Sequence, residues 1–232
     1  MDLNVDLGEL PDEPAELYAL ATVVNIACCG HAGDDASMRA AVRAARAAGA
    51  RIAAHPSYAD REGFGRRPAF ADPDVVGEQV RAQCASLAAI AREAGAHVTH
   101  VKPHGALYHD AAADPERAGA VVAAAREVLG ADVVVVGPPE GALLVSAVRA
   151  GLGYAREGFA DRGYDARGAL RPRGTPGAMI EDPDVAAAQA VELALRGGLD
   201  TLCVHGDTPG AVAIASAVRA ALEREGCLPP RA

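Results

Sequence analysis

Lys102 is the one lysine among 22 basic residues, and it sits in the segment His100-Val-Lys-Pro-His104. A chain that otherwise takes Arg for its cations places here a compact ammonium with a movable pKa. Such a group suits carbonyl polarisation, phosphate binding or proton transfer; the structural alternative is an ion pair with Asp6. The other ionisable residues recur in small groups: Asp6 and Glu9; Asn25, His31 and Asp34; His55 and Asp60; His104; Glu157, Asp161 and Arg162; His205 and Asp207. Mixed carboxylates and histidines serve general acid–base catalysis. Asp6, His55, His104, His205 and Asp207 are also the pool from which a metal site would be drawn, although no HExxH or CxxC spacing selects a ligand set. Two glycine-hinged basic loops, 61–67 with Arg66 and 171–174 with Arg171 and Arg173, are either anion holders or flexible surface turns. Cys28, near His31, is either a thiol nucleophile or a buried structural cysteine. There is no GxxxxGK[ST], no GxGxxG after a strand and no GxSxG elbow.

These groups must be positioned by something, and each follows a β-rich run. Strands are expected over 2–7, 22–28, 50–54, 97–102, 132–136, 154–159 and 201–205, with helices near 14–21, 35–48, 73–94, 115–129, 141–150, 183–196 and 209–225. Three helices share one start, Asp-Pro-Asp/Glu at 72, 114 and 182. Each combines an Asp cap, a Pro in the first turn and an acid facing the helix dipole. Repeated βα units imply a parallel sheet. An open sheet would feed a ligand site from two or three loops. Here six of seven strand ends carry polar residues, which favours a closed α/β barrel, an irregular seven-stranded (β/α) barrel of TIM-barrel-like form. Strand parity agrees: Asn4 and Asp6 share a face, as do His100, Lys102 and His104, and Cys203, His205 and Asp207. The apolar parity would meet the helices and the polar parity the barrel interior, either as a ligand site or as a self-satisfied hydrogen-bond layer.

Composition bounds the rest. The 232 residues, half of them hydrophobic, suffice for one domain over 1–232 with a sizeable core. The net charge of −9 argues against nucleic acid as a partner, whose binding draws on phosphate neutralisation. No apolar run approaches a membrane span, and the N-terminus lacks the basic start of a signal peptide. Five cysteines without disulfide or metal-knuckle spacing suit a reducing cytoplasm.

The motifs NVDLGE, NIAC-x-x-HAGD, AHP-x-Y-x-D followed by GFGRR, HVKPHGALY, FADR-x-Y followed by RPR-x-TPGA, and CVHGD resemble the LamB/YcsF family, in family order from residue 2 to about 222. The resemblance implies a seven-stranded barrel similar to glycoside hydrolase/deacetylase-like barrels. It also implies ATP-dependent opening of the 5-oxoproline lactam to L-glutamate, with ATP and Mg²⁺ as cofactor and with partner subunits B and C. The family motifs fall on Asp6, Glu9, Asn25, His31, Asp34, His55, Asp60, Lys102, His104, Asp161, Arg162, His205 and Asp207. Among these, Lys102 is expected on the carbonyl or phosphate oxygen, Asp6 or Asp207 as base and His104 or His205 as acid. Arg162 or Arg66 is expected on the substrate carboxylate. Against the family pattern, Cys29 and Gly30 replace Gly and Phe, Ser57 replaces Gly, and His109 replaces Asn. The competing readings are a metal-dependent amide or sugar hydrolase or deacetylase, and a ligand-binding accessory protein without turnover. Homo-oligomerisation stays open.

Overall fold

A computed structural model describes residues 1–67 and 71–228. Seven parallel strands close into a barrel in chain order: β1 (Asp2–Leu7), β2 (Val23–Ala27), β3 (Arg51–His55), β4 (Val98–Val101), β5 (Val134–Gly137), β6 (Gly153–Phe159) and β7 (Thr201–His205). Closure is made by β7 on β1, with Asn4 opposite Cys203 and Asp6 opposite His205. The irregularity lies between β3 and β4, where the register shifts at Ile52/Ala53.

The helices between and after the strands are α1 (Ala15–Leu20), α2 (Asp35–Ala47), α3 (Pro73–Glu93), α4 (Gly105–Ala113), α5 (Pro115–Leu129), α6 (Ala142–Arg149), α7 (Pro183–Arg196) and α8 (Ala211–Arg224). The three Asp-Pro starts act as expected: Asp72, Asp114 and Asp182 each accept a hydrogen bond from a first-turn backbone N–H of α3, α5 and α7. Helix α4 is an addition to the expected set, inserted between β4 and α5.

Period-2 alternation divides the strands as their parity requires. Leu3, Val5 and Leu7 of β1 join Val24, Ile52 and Leu202 in the main core with helix residues such as Met38, Leu87 and Ile214. The opposite parity carries Asn4, Asp6, Asn25, His55, Glu157, Thr201, Cys203 and His205, all buried. The apolar layer thus binds strands to helices, and the barrel interior is left for polar chemistry. Among the described residues no helix is long and apolar enough to cross a membrane.

Candidate active site

The barrel floor is built around Lys102, which follows β4 and is only 2% exposed. Its Nζ lies 2.8 Å from Asp6 Oδ1 and 2.9 Å from Glu157 Oε1. Asn4 Oδ1 at 3.2 Å and Cys203 Sγ at 3.0 Å complete the shell. An ammonium has three protons, so four acceptors occupy it fully. Burial alone would push the Lys102 pKa down, but Asp6, Cys203 and Glu157 outweigh it and hold the ammonium well above its ordinary value. Burial would likewise raise Asp6, yet Lys102 and His55 keep it well below the usual carboxylate range. Asn25 donates to both Asn4 Oδ1 (2.6 Å) and Asp6 Oδ1 (2.7 Å). With Oδ1 taken, Asp6 turns Oδ2 toward His55, at 3.4 Å, and toward His205, at 3.9 Å.

One side of the mouth is a histidine cluster. His31 and His104 stack with ring centroids 3.6 Å apart and planes 2° from parallel, and His55 meets both edge-on. Glu9 Oε1 lies 2.8 Å from His31 Nε2. Burial and the neighbouring Asp6 and Asp207 push the Glu9 carboxyl well above its ordinary range. Burial and His55 push His31 down to about 2, and burial with both neighbouring rings holds His104 well below its usual value. Both rings are therefore neutral at physiological pH. Asp60 closes the adjoining loop by accepting from the Gly63 N–H (2.8 Å), which presents Phe64 edge-on to His31 and His104.

Across the mouth stands an Asp–His pair. Asp161 accepts from His205 Nδ1 (2.9 Å), from the His205 backbone N–H (2.9 Å) and from the Thr208 hydroxyl (3.1 Å). Burial opposes ionisation of Asp161, but His205 and these hydrogen bonds outweigh it and keep the pKa low. An ionised Asp161 fixes Nδ1–H on His205 and turns Nε2 toward the cavity, the arrangement of an oriented acid–base histidine. The cavity, about 480 Å³, is also lined by Arg66, Arg162 and Arg173. Arg66 is tied to Asp207 at 2.5 Å. Among the described residues, Arg162 donates only to backbone carbonyls, those of Ala178 and Arg171, and Arg173 only to the Met179 sulfur. Among the described residues neither forms an ion pair. Burial and the charge of a neighbouring arginine lower both their pKa values, outweighing the pull of Asp161.

Most residues expected from sequence meet here: Asp6, Glu9, Asn25, His31, His55, Arg66, Lys102, His104, Asp161, Arg162, His205 and Asp207. Their parts differ from expectation in several places. Asp34 is exposed and belongs to a capping box at α2, exchanging hydrogen bonds with Ser37. Asp60 shapes a loop, and Asp207 is committed to Arg66, which leaves Asp6 as the carboxylate of the cavity floor. The metal pool also divides, with Glu9 and His31 joining His55 and His104 while Asp207 stands apart. Lys102 is enclosed by its ion pairs. Sequence reasoning missed Tyr108 and His109, which α4 brings to the cavity wall, and the Phe64 edge.

Two departures from the family pattern prove to be neighbours. A side chain at Gly30 would press into Ser57 Oγ and Gln83 Oε1, so the small residue at 30 and the larger one at 57 fit each other. Cys29 holds φ 75°, a left-handed conformation that costs a non-glycine residue about 1–2 kcal/mol. Part of that is returned because glycine is freer when unfolded. Cys29→Gly is therefore expected to stabilise the protein by about 0.5–1 kcal/mol, read as a higher urea midpoint; an unchanged or lower midpoint would refute the strain.

A closed parallel barrel with its acid–base residues gathered at the C-terminal strand ends defines a β/α-barrel enzyme. Within that class, the chain belongs to the LamB/YcsF family, whose model matches residues 1–228. The A subunit of a 5-oxoprolinase from Methylococcus capsulatus (strain Bath) is 45% identical over 243 residues, covering 97% of this chain and 93% of its own. The crystal structure of a lactam utilization protein from Thermus thermophilus matches with a TM-score of 0.89 at 37% identity, covering 97% of both chains. A family 4 carbohydrate esterase from Streptomyces lividans shares the fold, with a TM-score of 0.51 at 12% identity over 97% of this chain and 89% of its own.

Proposed function

We propose that this chain is the A subunit of a 5-oxoprolinase, opening the lactam of 5-oxo-L-proline to L-glutamate with hydrolysis of ATP, supplied with Mg²⁺, and acting with partner subunits B and C. The family relationship supports the reaction. The observation that carries it to this cavity is the Asp161–His205 pair facing Asp6, beside two arginines that form no ion pair among the described residues. Amide resonance makes the lactam carbonyl a poor electrophile. Phosphorylation of its oxygen by ATP gives an imidate-like phosphate, which water attacks at carbon; the lactam nitrogen then leaves with a proton to give an acyl phosphate, and a second water hydrolyses this to L-glutamate and phosphate. His205 Nε2 is placed to exchange that proton, and Asp6 Oδ2 to take one from water. Arg162 and Arg173 suit the single carboxylate of the substrate. Lys102 acts through Asp6, keeping it ionised. The free cysteines suit a reducing cytoplasm.

The test is glutamate release from 5-oxoproline by the purified chain alone and with subunits B and C, each with and without ATP. Glutamate is expected only from the complete mixture with ATP. No glutamate from that mixture would overturn the reading.

A further inference from the structure

Two histidine nitrogens face each other at the base of the cavity. His55 Nδ1 lies 2.7 Å from the Lys102 carbonyl and His104 Nε2 lies 2.9 Å from the Phe64 carbonyl. A carbonyl only accepts, so both ring nitrogens carry the proton. In the neutral His104 ring the remaining nitrogen, Nδ1, is then an acceptor, and it lies 3.0 Å from His55 Nε2. Glu9 Oε1 stands 3.3 Å from His104 Nδ1 and 3.8 Å from His55 Nε2, and Asp6 Oδ2 stands 3.4 Å from His55 Nε2. Two ring nitrogens and two carboxylate oxygens, from three strand ends and the loop after β1, thus crowd one buried space. Such a set requires a positive charge at its centre, either a proton or a metal ion.

The spacing fits an ion. With metal–ligand bonds of about 2.1 Å, adjacent ligand atoms of a tetrahedral or octahedral shell lie about 3.0–3.4 Å apart. Three of the four distances fall in that interval. The His55 and His104 planes cross at 89°, so both lone pairs can meet on one atom. His31 cannot join them, because its plane is within 2° of parallel to that of His104 and parallel planes do not meet. It reaches Glu9 Oε1 instead, at 2.8 Å, and its Nδ1 is held 3.0 Å from Ser57 Oγ. Carbonyls on the far nitrogens of both ligating rings, and a histidine steering the carboxylate, make a complete outer layer. We propose that His55, His104 and Glu9 bind a first-row divalent cation of the Zn²⁺ type, with His31 orienting Glu9 and the remaining position left open to the cavity beside Asp6. Two imidazoles select that class over Mg²⁺ or Ca²⁺. Asp6, His55 and His104 line the cavity, so the ion has an entry path and an open side toward substrate.

The purified full-length chain, stripped with chelator, is titrated with Co²⁺ and followed by ligand-field absorption, then challenged with Zn²⁺. One Co²⁺ per chain, displaced by Zn²⁺, is expected. His55→Gln and His104→Gln should each weaken binding at least ~100-fold, and His31→Gln about 10- to 100-fold as an outer-layer change. Circular dichroism establishes that each variant is folded. No stoichiometric uptake by the folded wild type, or equal uptake by folded His55→Gln and His104→Gln, would overturn the proposal and leave a proton shared between the rings. The titration uses no 5-oxoproline, ATP or partner chain, so its failure is separate from failure of the proposed activity.

Discussion

Replacing Lys102 by Met is expected to lower the unfolding free energy by about 3–5 kcal/mol, the cost of leaving buried charges without their partner. Methionine approximates the volume of the lysine stem but removes the ammonium between Asp6 Oδ1 and Glu157 Oε1. Both carboxylates are 2% exposed, so water cannot replace the lost charge. The loss is a large share of a typical domain stability of about 5–15 kcal/mol, and the variant is best measured by urea denaturation below room temperature. Adding Asp6→Asn to Lys102→Met should recover part of it, because one of the stranded charges disappears. Turnover should be lost in both variants, since Asp6 is either no longer held ionised or no longer a carboxylate. A Lys102→Met protein within about 1 kcal/mol of wild type would mean that the barrel interior admits water freely.

The single lysine stands out by residue type as a candidate on the reacting oxygen, and its enclosure explains why sequence alone left two roles open. Residue type showed that an ammonium was needed; the acceptors that use it come from β1, β6 and β7, and only barrel closure puts them together. Strand parity was legible because a closed barrel makes one face interior on every strand: Asn4 and Asp6, or Cys203 and His205, follow from period 2 alone. Helix starts were equally legible where an Asp-Pro pair carried the cap. Helix α4 was not, because His104 at its N-cap makes no side-chain capping bond. It is fixed by tertiary contact, with the left-handed Gly105 (φ 58°) set against the Gly65 carbonyl, where no Cβ would fit. Asp34 misled by following a strand, although Ser37 three residues on was a local capping signal. The division of the histidines depends on ring planes and on which carbonyl holds which nitrogen. Neither is written in spacing.

The largest effect on turnover is expected at the Asp161–His205 pair. His205→Gln should reduce ATP-dependent glutamate release in the complete mixture by about 10²- to 10⁴-fold, the usual contribution of a positioned acid–base group. Glutamine keeps a polar side chain but cannot exchange a proton near neutral pH. Asp161→Asn should approach the same loss by another route. The carboxylate accepts three hydrogen bonds, two from His205 and one from Thr208, and an amide must turn its NH₂ against at least one of these donors. His205 is then driven toward the tautomer with its proton on Nε2, and the orientation that Asp161 enforces is lost. Both variants should lower kcat while leaving KM for 5-oxoproline within a few-fold of wild type. Arg162→Ala should do the reverse, because its guanidinium is placed for binding rather than proton transfer. Since Asp161 is fully buried, melting temperatures are measured alongside, and the kinetic comparison is made well below the lower one. A folded His205→Gln enzyme with near-normal kcat would remove His205 from the chemistry. The proton for the departing nitrogen would then have to come from the histidine cluster on the opposite wall, where His104 holds no proton on the nitrogen facing the cavity base.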